Sequence, residues 1–195
     1  MKELNGLVLI GGKSTRMQTD KAHLVYHDKP QYLVCYDLLK DFCSKVFLSL
    51  KKKHTECVVE DIGPIFDHEI YDGMGPTGGV LSAMNYAPEQ AWFVLACDLP
   101  FVDADLISYL ISKRNASRMA TAFKSNYTGH PEPLCAIYEP QFKDAMQGFV
   151  KEEVFCPRKI MLKSDIELVD LPEPHALDNI NTPDEFNKTI QQLKG

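Results

Sequence analysis

The residues best suited to chemistry stand near the start of the chain, in Leu7-Val8-Leu9-Ile10-Gly11-Gly12-Lys13-Ser14-Thr15-Arg16-Met17 and the Asp20-Lys21 that follows. A short uncharged apolar run reads as a buried strand. Gly11 and Gly12 then carry no side chain where that strand ends, so backbone N–H groups can approach phosphate oxygens closely. Ser14, Arg16 and Lys21 supply a hydroxyl, a guanidinium and an ammonium around the bare backbone, a set that offsets charge as it moves in phosphoryl or nucleotidyl transfer. Two familiar phosphate motifs do not fit. Gly12-Lys13-Ser14 looks like the end of a P-loop, but Leu7 stands where that loop needs glycine. The dinucleotide fingerprint fails because Gly11 and Gly12 are adjacent and position 15 is Thr. The bland alternative is a strand-to-loop turn that happens to be basic.

A second group, Cys97-Asp98-Leu99-Pro100-Phe101, sets a lone carboxylate directly after the most hydrophobic run of the chain, Trp92-Phe93-Val94-Leu95-Ala96. Magnesium bridging phosphates is held by one or two carboxylates, with waters and phosphate oxygens completing the octahedron. Asp98 suits that role; the alternative makes it the N-cap of the following helix, for which Asp103 is better placed. A third group, Asp72-Gly73-Met74-Gly75-Pro76-Thr77-Gly78-Gly79, is a glycine-rich loop leading into a helix. It reads equally as an anion or base-edge site at a helix N-terminus and as a plain connection. Asp67 and Asp72 lie beside it, either able to accept from a guanine N–H edge or from ribose hydroxyls. Asn179-Ile180-Asn181-Thr182-Pro183 reads as helix capping.

Alternating elements must position these groups. A helix is expected from Lys29-Pro30 to about Phe42, a strand over Val46–Leu50, a further strand at Cys57–Val59, and a helix from about Gly79 to Asn85. A buried strand at Trp92–Cys97 and a helix over Asp103–Lys113 follow. Strands at Arg118–Phe123 and Pro133–Tyr138, a helix over Gln141–Phe149, a strand at Ile166–Leu171 and a helix opening at Pro183 complete the pattern. Alternation of this kind predicts a three-layer α/β fold with a mostly parallel sheet, in one domain spanning residues 1–195. In such sheets ligands bind beyond the carboxyl ends of strands, where both the Gly11 loop and Asp98 fall.

Composition narrows the function classes. With 45% hydrophobic and 25% charged residues the chain reads as globular, and a formal net charge of −6 argues against a nucleic-acid partner. No apolar stretch reaches the roughly 18 residues of a membrane span, and Glu3 followed by a strand pattern does not read as a signal peptide. Lys51-Lys52-Lys53 reads as a solvated turn. The six cysteines never form C-x-x-C and read as reduced thiols of a cytoplasmic protein. The histidines show no ligand spacing for zinc.

The motifs L-x-G-G-x-S-x-R-M, D-K, G-P-x-G-G, C-D-x-P-F, E-P-L-C-A-I-Y and N-I-N-T-P-D-E-F, in that order from Leu7 to Phe186, resemble those of the molybdenum cofactor guanylyltransferases. That resemblance implies a Rossmann-like nucleotidyltransferase fold and magnesium-dependent transfer of GMP from GTP to molybdopterin. It implies that Leu9, Ile10 and Gly11, with Gly12 and Ser14, line the nucleotide and that Lys21 contacts its phosphates. It further implies that Asp98 holds Mg2+, that Asp67 contacts GTP, and that Ser49 and Gly78 border the nucleotide. Arg16, Lys21 and Asp98 form the catalytic set. Ile10, Gln18 and Ser49 replace the Ala, Gly and Asn usual in the family. The implied partners are the two small substrates, with other cofactor-biosynthesis proteins or acceptor molybdoenzymes beyond them, and neither nucleic acid nor membrane. Two readings compete: a cytidylyltransferase acting on molybdopterin or another small phosphate acceptor, and a non-catalytic nucleotide-binding regulator.

Overall fold

Asn5 and Gly6 extend the first strand towards the N-terminus beyond its apolar run, and the whole segment, β1 (Leu4–Leu9), is buried. The structure, a computed structural model, describes residues 3–10, 25, 29–51 and 62–180. The expected strand at Cys57–Val59, the loop carrying Gly11, Gly12, Ser14, Arg16 and Lys21, and the helix at Pro183 lie outside them. From β1 the described chain runs through α1 (Gln31–Lys40), β2 (Val46–Leu50), β3 (Gly63–Phe66), a 3-10 turn at Glu69–Tyr71, α2 (Pro76–Tyr86), β4 (Ala91–Ala96) and α3 (Ala104–Ser112). It continues as β5 (Ala120–Lys124), β6 (Pro131–Tyr138), α4 (Phe142–Lys151), α5 (Pro157–Leu162) and β7 (Glu167–Asp170).

The strands form one seven-stranded sheet in the order β3-β2-β1-β4-β6-β5-β7. Every neighbouring pair is parallel except those made by β6, which runs antiparallel to both β4 and β5. The sheet is therefore mostly parallel, as expected. Its centre is apolar on both faces: Trp92, Phe93, Val94 and Leu95 of β4 are wholly buried, as a central strand covered by helices requires. β3 carries Pro64, which removes one ladder donor; as an edge strand it tolerates that loss.

Three local features correct the expected elements, the first being β3 itself, which forms at Gly63–Phe66 where no strand is expected. Helix α2 begins at Pro76, earlier than expected, so Gly78 and Gly79 are helical. Gly75, at φ +59°, turns the chain in the left-handed region and Pro76 then opens the helix at its first position. Helix α5 was not expected at all. Away from the site, Arg114 braces the sheet: its Nε and terminal NH2 group donate to the two oxygens of Glu139 at 2.6 and 3.0 Å, with both side chains buried.

Candidate functional site at the sheet's switch point

The strand order reverses between β1 and β4, which run parallel from a shared edge; the chain departs to opposite sides of the sheet from there. A crevice at such a reversal, outside the carboxyl ends, is where open α/β sheets hold ligands. Backbone hydrogen bonds level the strand ends at this edge. The Ile10 N–H donates to the Ser49 carbonyl at 3.3 Å, and the Cys97 N–H to the Leu9 carbonyl at 3.3 Å. Ile10 and Asp98 therefore leave two adjacent strands side by side. The Ile180 N–H donates to the Asp98 carbonyl at 3.2 Å, bringing the chain that follows β7 back to the same edge.

On the β1–β2–β3 side, Ser49 is buried and its Oγ donates to Oδ1 of Asp67 at 3.1 Å. Burial raises the Asp67 pKa, the Ser49 hydrogen bond and Lys51 pull it back down, and Asp72 pushes it up. Helix α2 lies over this pair. A Cβ at Gly79 would stand 2.4 Å from the Ser49 Oγ, and one at Gly78 would stand 2.7 Å from the Tyr71 carbonyl oxygen. Close packing thus demands both glycines, Gly79 against the sheet and Gly78 against the 3-10 turn, whatever they do for a ligand. Asp72, by contrast, is exposed and its Oδ1 accepts from the Gly73 N–H at 2.9 Å, a local turn bond.

On the β4–β6–α5 side, Asp98 opens on a cleft of about 870 Å³. Asp98, Phe101, Tyr127, Cys156, Arg158 and Asn179 are among its lining residues, and the first residue of α2, Pro76, reaches it too. Arg158 donates to Glu132 at 2.9 Å and to the Pro131 carbonyl at 3.2 Å, so the cleft's cation is held by its own wall. At the rim the Tyr127 hydroxyl donates to Oδ1 of Asp178 at 2.8 Å, while Oδ2 pairs with Nδ1 of His175 at 2.9 Å. The Asp178 hydrogen bond raises the Tyr127 pKa, because ionising the phenol would break it. These three residues tie the β5–β6 turn to the segment after β7. Sequence reading did not single out Tyr127, Arg158 or His175; their sole common signal is that the fold gathers them.

Of the sequence-derived site residues, the structure brings Leu9, Ser49, Asp67 and Gly79 together, with Gly78 in the same helical turn. Asp98 faces the cleft on the other side of the reversal. Asp98 does not cap α3: that task falls to Asp103, whose Oδ1 accepts from the Leu106 N–H at 2.8 Å. Gly11, Gly12, Ser14, Arg16 and Lys21 lie outside the described residues. Among the described residues no three His, Cys, Asp or Glu side chains gather into a metal cage. Of the carboxylates lining the cleft, Glu132 is bonded to Arg158 and Asp178 to Tyr127 and His175; Asp98, at the end of β4, suits a divalent cation that arrives with phosphates and keeps waters, rather than one held by protein alone.

The family model described as the MobA-like NTP transferase domain matches residues 6–163. A protein of Synechocystis sp. named molybdenum cofactor biosynthesis bifunctional protein is 33% identical over 189 residues; the match covers 95% of this chain, which spans about half (53%) of that relative's length. A Clostridium perfringens protein named probable molybdenum cofactor guanylyltransferase is 31% identical, with 98% of each chain covered. The crystal structure of molybdopterin-guanine dinucleotide biosynthesis protein A from Archaeoglobus fulgidus superposes with a TM-score of 0.79 at 20% identity, covering 97% of this chain and 98% of the other, and shows the same fold. No helix among the described residues is long and apolar enough to cross a membrane. A parallel sheet with its crevice at the β1–β4 reversal, matched by the family model over most of the chain, is the frame of a nucleotidyltransferase, and this chain belongs to the MobA-like NTP transferase family.

Proposed function

We propose that this chain transfers GMP from GTP to molybdopterin and releases pyrophosphate. The observation that carries the reading is Asp98, set at the carboxyl end of β4 with a polar pair, Ser49 and Asp67, on one side and a roomy cleft on the other. The nucleotide occupies the β1–β2–β3 side, where Leu9, Ile10, Ser49, Asp67 and Gly78 lie. The cleft takes the acceptor.

No protein nucleophile is needed. A phosphate monoester has a second pKa near about 6 and is largely ionised at neutral pH. Its oxygen attacks the α-phosphorus of GTP; the new P–O bond forms as the bond to the bridging oxygen breaks, and pyrophosphate leaves with that electron pair. The chain's work is to align the two phosphates and to offset crowded negative charge. Lys21 and Arg16, with the backbone N–H groups of Gly11 and Gly12 and the Ser14 hydroxyl, are assigned to the triphosphate. Asp98 is assigned to a divalent cation, Mg2+ by its match to hard oxygen donors, which when bound supplies charge neutralisation at the phosphates. No disulfide joins the described cysteines, which supports a reducing, cytoplasmic setting. Hand-over of the product to cofactor-biosynthesis proteins or molybdoenzymes follows from the same reading.

Pyrophosphate release measured with GTP, CTP, ATP and UTP, each with magnesium and molybdopterin, tests the assignment. Release with GTP is the expected outcome. Release with CTP alone would identify a cytidylyltransferase, and GTP binding without release under any condition would identify a regulator.

A further inference from the structure

Ser49 sits where a nucleotide-contacting side chain is expected, yet its surroundings leave it little reach. It is 4% exposed, its hydroxyl proton is engaged by Asp67 Oδ1 at 3.1 Å, and the Cα of Gly79 lies so close that even a methyl group there would fall 2.4 Å from the Ser49 Oγ. Asp67 has the opposite character. Its backbone is clamped, since its N–H donates to the Leu50 carbonyl at 2.9 Å and the next N–H, of His68, donates to the Ser82 Oγ at 2.9 Å. Its side chain is partly exposed, and among the described residues no donor bonds Oδ2.

We propose that Ser49 is a positioning residue: it fixes the Asp67 carboxylate so that this group, and not Ser49, reads the N–H edge of the guanine base. The proposal rests on the guanylyl-transfer reading above. With its backbone clamped, the carboxylate keeps only its side-chain torsions, and the Ser49 bond removes that freedom. Two acceptor oxygens match the adjacent N1–H and N2–H donors of guanine. Cytosine offers one donor, its N4 amine, beside the N3 acceptor, so it satisfies only one carboxylate oxygen and sets a lone pair against the other. Reading by this route requires ionised Asp67. Burial opposes ionisation, and Asp72, beyond the 3-10 turn, opposes it further; Lys51 at the end of β2 and the Ser49 hydroxyl favour it. His68 turns its Nδ1 to the Ile70 N–H, and α2 presents Gly79 and Ser82, neither of which ionises. Ser49 therefore supports both the direction and the charge of Asp67.

Equilibrium binding of GTP, ITP and CTP by calorimetry, from pH 5.5 to 8.5, tests this in the full chain and in Ser49→Ala, Ser49→Thr and Asp67→Asn, with thermal melts as a folding control. Wild type is expected to bind GTP best and ITP less well, since hypoxanthine lacks the N2 amine. Ser49→Ala is expected to weaken GTP about tenfold, to leave CTP unchanged, and to move the acid limb of GTP binding up by about one pH unit, as loss of one charge-assisted bond implies. Ser49→Thr is expected to restore the profile, and Asp67→Asn to abolish both the GTP preference and the acid limb. A wild type that prefers CTP would overturn the guanylyl reading and the proposal with it. A wild type that prefers GTP, with an unaltered profile in Ser49→Ala or with equal losses of GTP and CTP at every pH, would overturn the positioning role alone.

Discussion

At Gly79 the requirement for glycine comes from the protein itself. Alanine is the better helix former by about 1 kcal/mol. Here its methyl group would meet the Ser49 Oγ at 2.4 Å, a separation real side chains do not tolerate, so the Ser49 hydroxyl must turn away from its bond to Asp67 or α2 must shift. Overpacking of this kind costs roughly 1–3 kcal/mol. Gly79→Ala is therefore expected to lower the melting temperature and to weaken GTP binding. Ser49→Ala in the same chain removes the obstructing oxygen, so the double variant should be more stable than Gly79→Ala alone, a non-additive pair. Strictly additive melting shifts would show that the two residues do not touch. Sequence alone could not separate these roles: the G-P-x-G-G run reads as bare backbone for a ligand, and the contact with β2 depends on how the helix lands on the sheet.

At the scale of elements the chain keeps two aspartates with different tasks close in sequence. Asp103 caps α3, and Asp103→Ala is expected to cost about 1 kcal/mol of stability while Asp103→Asn, which caps as well, is nearly silent. Asp98→Asn should show the converse pattern. It preserves shape and an acceptor oxygen but removes the negative charge a hard cation needs, so magnesium affinity and turnover should fall steeply while the melting temperature without ligand barely changes. Pyrophosphate release against magnesium concentration checks this; superimposable curves for wild type and Asp98→Asn would remove Asp98 from the chemistry. This division was legible in sequence because cap residues sit at a fixed distance from the helix start. The start of α2 was less legible, since Gly78 and Gly79 are poor helix formers kept there by tertiary packing. β3 was hidden by Gly63 and Pro64, both unfavourable in strands and tolerable because β3 is an edge.

Across the whole molecule, alternating elements disclosed the sheet's class but not the reversed strand β6. Its direction follows from the short link after β5, residues 125–130, since a parallel crossover needs roughly a dozen residues or more. That reversal brings Glu132 and Cys135 to the cleft beside Asp98, with Cys156 and Arg158 arriving from α5 and its approach. The site thus has two halves on opposite sides of the β1–β4 junction, and the cysteines allow each half to be addressed separately. Burial pushes the Cys35 and Cys135 thiols up to about 12, and that of Cys43 likewise, so they resist alkylation near neutral pH; Cys97 is buried. Cys156 is exposed and lines the cleft. A bulky maleimide at pH 7.5 is therefore expected to modify Cys156 ahead of the other described cysteines, as peptide mapping would show. The adduct should reduce transfer to molybdopterin at least tenfold while leaving GTP affinity within twofold, on the order of 1.4 kcal/mol against less than half that. Molybdopterin should slow the labelling and GTP alone should not, and Cys156→Ser should be active and insensitive to the reagent. If labelling at Cys156 instead abolishes GTP binding, or GTP protects the thiol, the nucleotide occupies the β6–α5 cleft and the two halves of the site must be exchanged.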